Sequence, residues 1–191
     1  MEAVRSGKAG AMKVLIDANA DVSVRDAGHK SLLHLAAEGG HSAAAEVLID
    51  AKAEVDAKDA AGKTALHYAA LGDHRGVLEL LIDAKASVAS RDGRNITPLV
   101  CALQRNHRAT VKILVDAAAP GIVNNTLFEL AQAGSAITGS AVMLRRLVAA
   151  NVFLDVRNDD SYTPLMLAAM GGHKDAVSVL VQGGAQLDLV D

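Results

Sequence analysis

Residues 64–82 read Thr64-Ala65-Leu66-His67-Tyr68-Ala69-Ala70-Leu71-Gly72-Asp73-His74-Arg75-Gly76-Val77-Leu78-Glu79-Leu80-Leu81-Ile82. Thr64 is a hydroxyl residue suited to capping a helix, and the His67 side chain can bond back to the turn before it. Gly72-Asp73-His74 interrupts the apolar run. Glycine tolerates the left-handed conformation that ends a helix, and Asp73 is less comfortable there but permitted. Leu78, Leu81 and Ile82 then stand at i, i+3 and i+4, one buried helical stripe. The stretch spells two short helices joined by a tight turn.

Working outward, every part of it recurs. Leu15, Leu48, Leu81, Leu114, Leu147 and Leu180 follow one another at a single unbroken interval. Three positions earlier come Met12, Ala45, Leu78, Val111, Leu144 and Val177; one position later come Ile16, Ile49, Ile82, Val115, Val148 and Val181. An apolar stripe is therefore expected on each of six second helices. Ala3, Ala36, Ala69, Ala102 and Ala168 keep the same phase in the first helices. Small residues there let neighbouring helices approach closely. The inter-helix turn reappears as Gly39-Gly40-His41, Arg105-Asn106-His107 and Gly171-Gly172-His173. The cap reappears as Ser31-Leu32-Leu33-His34, Thr97-Pro98-Leu99-Val100 and Thr163-Pro164-Leu165-Met166, with Pro in the first turn of the last two. Between units the chain crosses in extended stretches such as Ala51–Asp56 and Ala84–Ala89, and turns at Asp59-Ala60-Ala61-Gly62-Lys63.

Taken together, the Thr-Pro-Leu-His pattern, the Ala-Ala-x-x-Gly-His continuation and the period resemble ankyrin repeats over essentially the whole chain. The resemblance implies an all-α solenoid of stacked helix-turn-helix pairs with short β-hairpin fingers. It also implies binding on the concave face made by fingers and first helices. The units fall at about 1–25, 26–58, 59–91, 92–121, 122–157 and 158–190 of one domain.

The unit 122–157 departs from the pattern. Its cap is expected at Thr126-Leu127-Phe128-Glu129, sooner after Thr97 than the period requires and correspondingly far before Thr163. The finger Ala117–Gly121 is about four residues short and the turn Gly134–Ser140 about four long, so a compensated loop change within a continuous stack is expected. By phase, Met1 falls on the His34 and His67 position, and Asp191 on the unit start marked by Asp26, Asp59, Asp92 and Asn158. With Val177, Val179, Leu180 and Val181 resembling an interior helix, the chain reads as part of a longer array or as one covered by a neighbour.

Composition narrows the function. Hydrophobic residues are 51% and aromatics 2%, with no Trp, which suits close helix packing better than a β-sandwich. A net charge of −3 gives no global reason to expect nucleic acid or an anionic membrane as partner. No apolar run reaches the ~18–20 residues that span a bilayer, and no signal-peptide core follows Met1, so an intracellular, cytoplasmic protein is expected. The single cysteine excludes an internal disulfide framework. Cys101 lies in an apolar first helix with no positioned base, and reads as a small buried hydrophobe. Six of the seven histidines occupy repeat positions, His34 and His67 at the cap and His41, His74, His107 and His173 at the inter-helix turn, each position filled once per layer and without ligand spacing for a metal. The column Asp17, Asp50, Asp83 and Asp116 reads as a solvated edge. The region Ala9–Lys13 lacks the glycine spacing of a phosphate loop. No cofactor, metal or catalytic residue is expected.

What remains is binding. Lys30, Lys63, Ile96 and Tyr162 precede the caps; Ala60, Ala61, Arg94, Asp159 and Asp160 lie at finger tips; Glu38, Leu71, Gln104, Arg105 and Met170 end the first helices. Tyr68 and Tyr162 are the expected aromatic anchors, since tyrosine and arginine are enriched at interface hot spots. Lys63, Arg91, Arg94, Arg105 and Arg108 gather in the middle units, whereas Asp155, Asp159, Asp160 and Asp188 gather in the last. An acidic partner segment steered to the middle of the groove would match that asymmetry, and a solvated, mixed surface would leave it without function. The expected function is a non-catalytic scaffold for another protein. The alternatives are a structural subunit of a larger multi-protein assembly and the docking region of a larger enzyme.

Overall fold

The structure, a computed structural model, describes residues 1–133 and 139–187. The chain divides into two compact units, Met1–Ala117 and Ala118–Asp191.

In the first unit, eight helices alternate: α1 (Glu2–Arg5), α2 (Ala9–Asp17), α3 (Leu32–Gly39), α4 (Ser42–Asp50), α5 (Ala65–Gly72), α6 (Arg75–Asp83), α7 (Pro98–Arg105) and α8 (Arg108–Ala117). Each odd helix packs on the even helix that follows it. The odd helices also form one row of neighbours and the even helices another. Their shortness is written in the backbone. Gly7, Gly40, Asp73 and Asn106, each one period after the last, all take positive φ and end the first helix of each pair. Asn19, Lys52 and Lys85 do the same after α2, α4 and α6. These two left-handed positions at the helix ends reverse the chain twice in each repeat, so helices pack side by side instead of extending; a third, at His29, Gly62 and Asn95, turns the finger.

The stripe behaves as expected from its second member onward: Leu48, Leu81 and Leu114 are buried, as are Ala36, Ala69 and Ala102 between the first helices. Leu15 departs from it and is 52% exposed. Its helix α2 has a second-helix neighbour, α4, on one side only. The positions that follow the leucines, Ile49 and Ile82, are half-buried.

The fingers are tight turns more than strand pairs. The amides of Asp26, Asp59 and Asp92 donate to the carbonyls of Lys30, Lys63 and Ile96 at 3.0, 2.9 and 2.9 Å. Pairing beyond the turn amounts to one antiparallel bridge, Arg25 to Ser31, among the described residues. Adjacent turns are tied edge to edge: Ala60 N–H donates to Gly28 O (3.0 Å) and Gly93 N–H to Ala61 O (2.8 Å). Gly62 makes the second tie possible. It has φ of +75°, and a Cβ there would stand 2.7 Å from the Gly93 nitrogen.

The second unit holds α9 (Pro120–Ala133), α10 (Ser140–Val148), α11 (Pro164–Met170) and α12 (Lys174–Gln182), paired α9 with α10 and α11 with α12. Leu147 and Leu180 are buried in phase, while Val181 at the following position is 40% exposed. Thr163 caps α11, accepting from the Met166 amide at 3.3 Å. Thr126 is not a cap. It lies inside α9, buried, and its hydroxyl donates to Ile122 O at 3.0 Å. The reason is Gly121. It holds the place before Thr126 that Asp92 holds before Thr97, and has no carboxylate to close a finger turn. The residues of that finger join the helix instead, with Pro120 in its first turn. Ala131, buried at the same offset from Thr126 as Ala69 from Thr64, nonetheless fills the small-residue position. Residues Gly134–Thr138 of the long turn, and Asp188 and Asp191, lie outside the described residues.

Candidate functional site

The finger and first-helix face of the first unit is fixed by side chains that bond to backbone. Asp59 Oδ1 accepts from the amides of Ala61 (2.9 Å) and Lys63 (2.8 Å), and Asp92 Oδ1 from those of Arg94 and Ile96 (2.9 Å each). An aspartate that bonds to the amides of its own turn folds the turn over itself. Burial alone would raise both carboxyls. The Tyr68 hydroxyl and two amides at Asp59, and the two amides with the Arg94 charge at Asp92, outweigh it and hold both below the ordinary 3.8.

Two sets of histidines cross between layers in opposite directions. His34 Nδ1 accepts the Ser31 amide (3.1 Å), so Nε2 carries the proton and donates forward to Lys63 O at 2.9 Å. His67 repeats this with the Thr64 amide (3.1 Å) and Ile96 O (2.9 Å). A backbone amide can only donate and a carbonyl only accept, which fixes the tautomer. Burial pushes both rings below their ordinary value of 6.5, against the carbonyls that favour protonation. The turn histidines reach back instead: His41 Nε2 to Arg5 O (2.9 Å), His74 to Glu38 O (3.2 Å) and His107 to Leu71 O (3.1 Å).

On this frame sit the expected contact residues. Lys30, Lys63 and Tyr68 come together: the Lys30 and Lys63 Nζ atoms lie 4.6 and 5.5 Å from the Tyr68 ring centroid. Both are within range of a cation–π attraction. Lys30 also pairs with Glu38 at 2.8 Å. Tyr68 is half-buried, meets His34 edge-on at 5.9 Å, and donates its hydroxyl to Asp59 Oδ2 at 2.7 Å. Its polar end is thus spent within the protein, and the ring positions the lysines.

One layer on, at the position equivalent to Tyr68, stands Cys101. It is buried, and desolvation with the Asp92 charge raises its thiol to about 11, against Lys63, Arg94 and Arg105. All three charges bear on the Cys101 position, but burial outweighs them, and the thiol stays protonated, inert as a nucleophile. Lys58, Lys63, Asp92 and Arg94 line an open cleft of about 690 Å³ between the second and third fingers. Arg94, Gln104 and Arg105 are exposed and Ile96 is half-buried, its carbonyl held by His67. Arg91 braces its own finger, donating to Asn95 O at 3.0 Å.

In the second unit, Tyr162 is half-buried and its amide closes a turn on Asn158 Oδ1 at 2.8 Å; Asp159 and Asp160 are exposed at the tip, and Met170 is exposed. Sequence reasoning placed the finger residues but missed the role of Asp59 and Asp92. The available signal was an aspartate at the head of each turn, at a constant offset before the cap. Among the described residues no group of three or more His, Cys, Asp or Glu is arranged to hold a metal ion. No helix among them is long and apolar enough to cross a membrane.

A comparison with curated proteins gave no match. The family model for ankyrin repeats (3 copies) matches residues 1–92, 33–127 and 89–191. Layered helix pairs, two backbone reversals per repeat and a family match along the full chain agree: this is a member of the ankyrin-repeat family.

Proposed function

We propose that the chain is a non-catalytic scaffold that holds an acidic segment of another protein on the finger and first-helix face of its first unit. Ankyrin repeats are protein-interaction modules, and ankyrin-repeat proteins are typically non-catalytic. The observation that carries the proposal is the placing of Lys58, Lys63 and Arg94 on the walls of one cleft braced by backbone ties, with Arg105 near enough for its charge to bear on Cys101. The backbone that carries Lys63 and Arg94 is held by His34 and Asp92, so little main-chain freedom is lost on binding, and charge complementarity can serve both capture rate and orientation. Lys30, Tyr68, Ile96 and Gln104 flank this centre.

The test is titration with a synthetic glutamate-rich peptide at low and high salt. Arg94→Glu with Arg105→Glu is expected to weaken binding at least tenfold at low salt and to flatten its salt dependence. Unchanged affinity and unchanged salt dependence would overturn the proposal.

A second reading, a structural subunit, draws on the second unit. Phe153, Met170 and Leu187 are each more than two-thirds exposed there. Asp160 and Tyr162 of the neighbouring finger would join that contact. Purification from its source in a complex of fixed stoichiometry would support this reading, and a monomer at high concentration would count against it.

A further inference from the structure

Three equivalent aspartates head the fingers of the first unit, and each uses Oδ1 to close its turn. Their outer oxygens differ. Asp26 Oδ2 receives Arg5 at 3.3 Å and Asp59 Oδ2 receives the Tyr68 hydroxyl at 2.7 Å. Asp92 Oδ2 is buried and has no hydrogen-bond partner. The Arg94 guanidinium stands 3.7 Å from it, too far to bond, on a side chain 72% exposed, while the Asp92 side chain is 1% exposed. Where the layer before places a tyrosine, this layer has Cys101, whose thiol makes no bond to Asp92. A buried carboxylate oxygen without a donor is costly.

We infer that Asp92 Oδ2 is the recognition point for a tyrosine side chain of the partner, which enters beside Cys101 and donates its hydroxyl there. The proposal rests on the reading of this face as a groove for an acidic segment. The chemistry selects among donors. Lys58, Lys63 and Arg94 line the cleft together with Asp92, so a cationic donor would be repelled and an uncharged hydroxyl within an acidic segment is accepted. The protein itself shows the geometry, since Tyr68 bonds Asp59 with its ring under the ammonium of Lys63. A phosphorylated tyrosine has no hydroxyl to give and would set its charge against Asp92. Arg94, whose side chain is 72% exposed and 3.7 Å from Oδ2, would have to swing aside for an incoming ring.

The experiment uses the full chain and three short peptides, each with four Asp or Glu on either side of a central Tyr, Phe or phosphotyrosine, titrated by calorimetry at low salt. The Tyr peptide is expected to bind about tenfold or more tighter than the Phe peptide, the scale of one hydrogen bond to a charged group. The phosphotyrosine peptide is expected to be no tighter than Phe. Asp92→Asn keeps the turn, as Asn158 closes the equivalent turn, but offers an amide donor in place of the acceptor. In that variant the Tyr-to-Phe ratio is expected to fall to about twofold or less, and likewise in Cys101→Tyr, where an internal hydroxyl takes the oxygen. Equal binding of Tyr and Phe peptides, a tightest-binding phosphotyrosine peptide, or a ratio that survives Asp92→Asn overturns the inference. If all three bind alike with strong salt dependence, the acidic-segment reading stands and the tyrosine inference fails. If none binds, both fail.

Discussion

Replacing His67 by leucine would remove a ring that holds two layers together while keeping most of its volume. The fold then loses an acceptor for the Thr64 amide and a donor for the Ile96 carbonyl. Thr64 is fully buried, so its amide finds no water and the cost is that of an orphaned buried donor, about 1–3 kcal/mol. Ile96 is half-buried, so its carbonyl is partly rehydrated and adds about 0.5–1 kcal/mol. Leucine approximates the volume of imidazole, so the cavity contribution is small and the expected loss is about 1.5–4 kcal/mol. Urea unfolding followed by circular dichroism measures it, and amide hydrogen exchange localises it. The Thr64 amide is expected to lose protection beyond the global change, because its bond is removed outright. A loss below about 0.5 kcal/mol, or Thr64 protection that moves only with the rest, would refute the account of the histidine as an interlayer bond.

His34 and His67 also set an acid limit. Their folded-state values lie below 6.5, so the folded state binds fewer protons than the unfolded one. Stability is full above about pH 6.5 and falls as pH drops through 6.5 toward the lower folded values. The urea midpoint is expected to fall between about pH 7.5 and about pH 5, less so in a His34→Leu, His67→Leu variant; equal slopes would refute the assignment. The carboxylates of Asp59 and Asp92 act in a separate window, with stability present above 3.8 and lost as pH falls below it. Gly62→Ala is expected to cost more than about 1 kcal/mol in urea unfolding, since a left-handed alanine and a clash with Gly93 coincide; a neutral effect would mean the finger tie is soft. Tyr68→Phe leaves Asp59 Oδ2 without its donor, with an expected loss of about 1–2 kcal/mol and a raised Asp59 carboxyl pKa by NMR titration. No change in that titration would show the hydroxyl bond to be idle.

The layered fold was legible because the same physical task recurs in every unit. A leucine at Leu48, Leu81 and Leu114, and an alanine at Ala36, Ala69 and Ala102, must each meet its counterpart in the next layer. Periodicity reads such columns directly. It misreads positions whose role depends on a partner elsewhere. Thr126 looked like a cap because the hydroxyl and following leucine were present, but a cap needs a turn before it, and Gly121 cannot close one. The bond of Tyr68 to Asp59 left no trace in the period, because it belongs to one layer and has no counterpart at Cys101. Leu15 failed for want of a second neighbour. Which cations line one cleft depends on side-chain directions, which a column of residues does not encode.

The paired histidine bridges have a consequence for how such a protein can change size. Between layers each ring is addressed to a main-chain group at a fixed offset and not to a side chain. Excision of residues 59–91 would present His34 with the carbonyl of Ile96 in place of that of Lys63, and His107 with that of Glu38 in place of Leu71. Each severed histidine bridge is remade with an identical group. Length can therefore grow or shrink in whole modules, whereas a cut of any other size strands polar atoms on both sides of the seam.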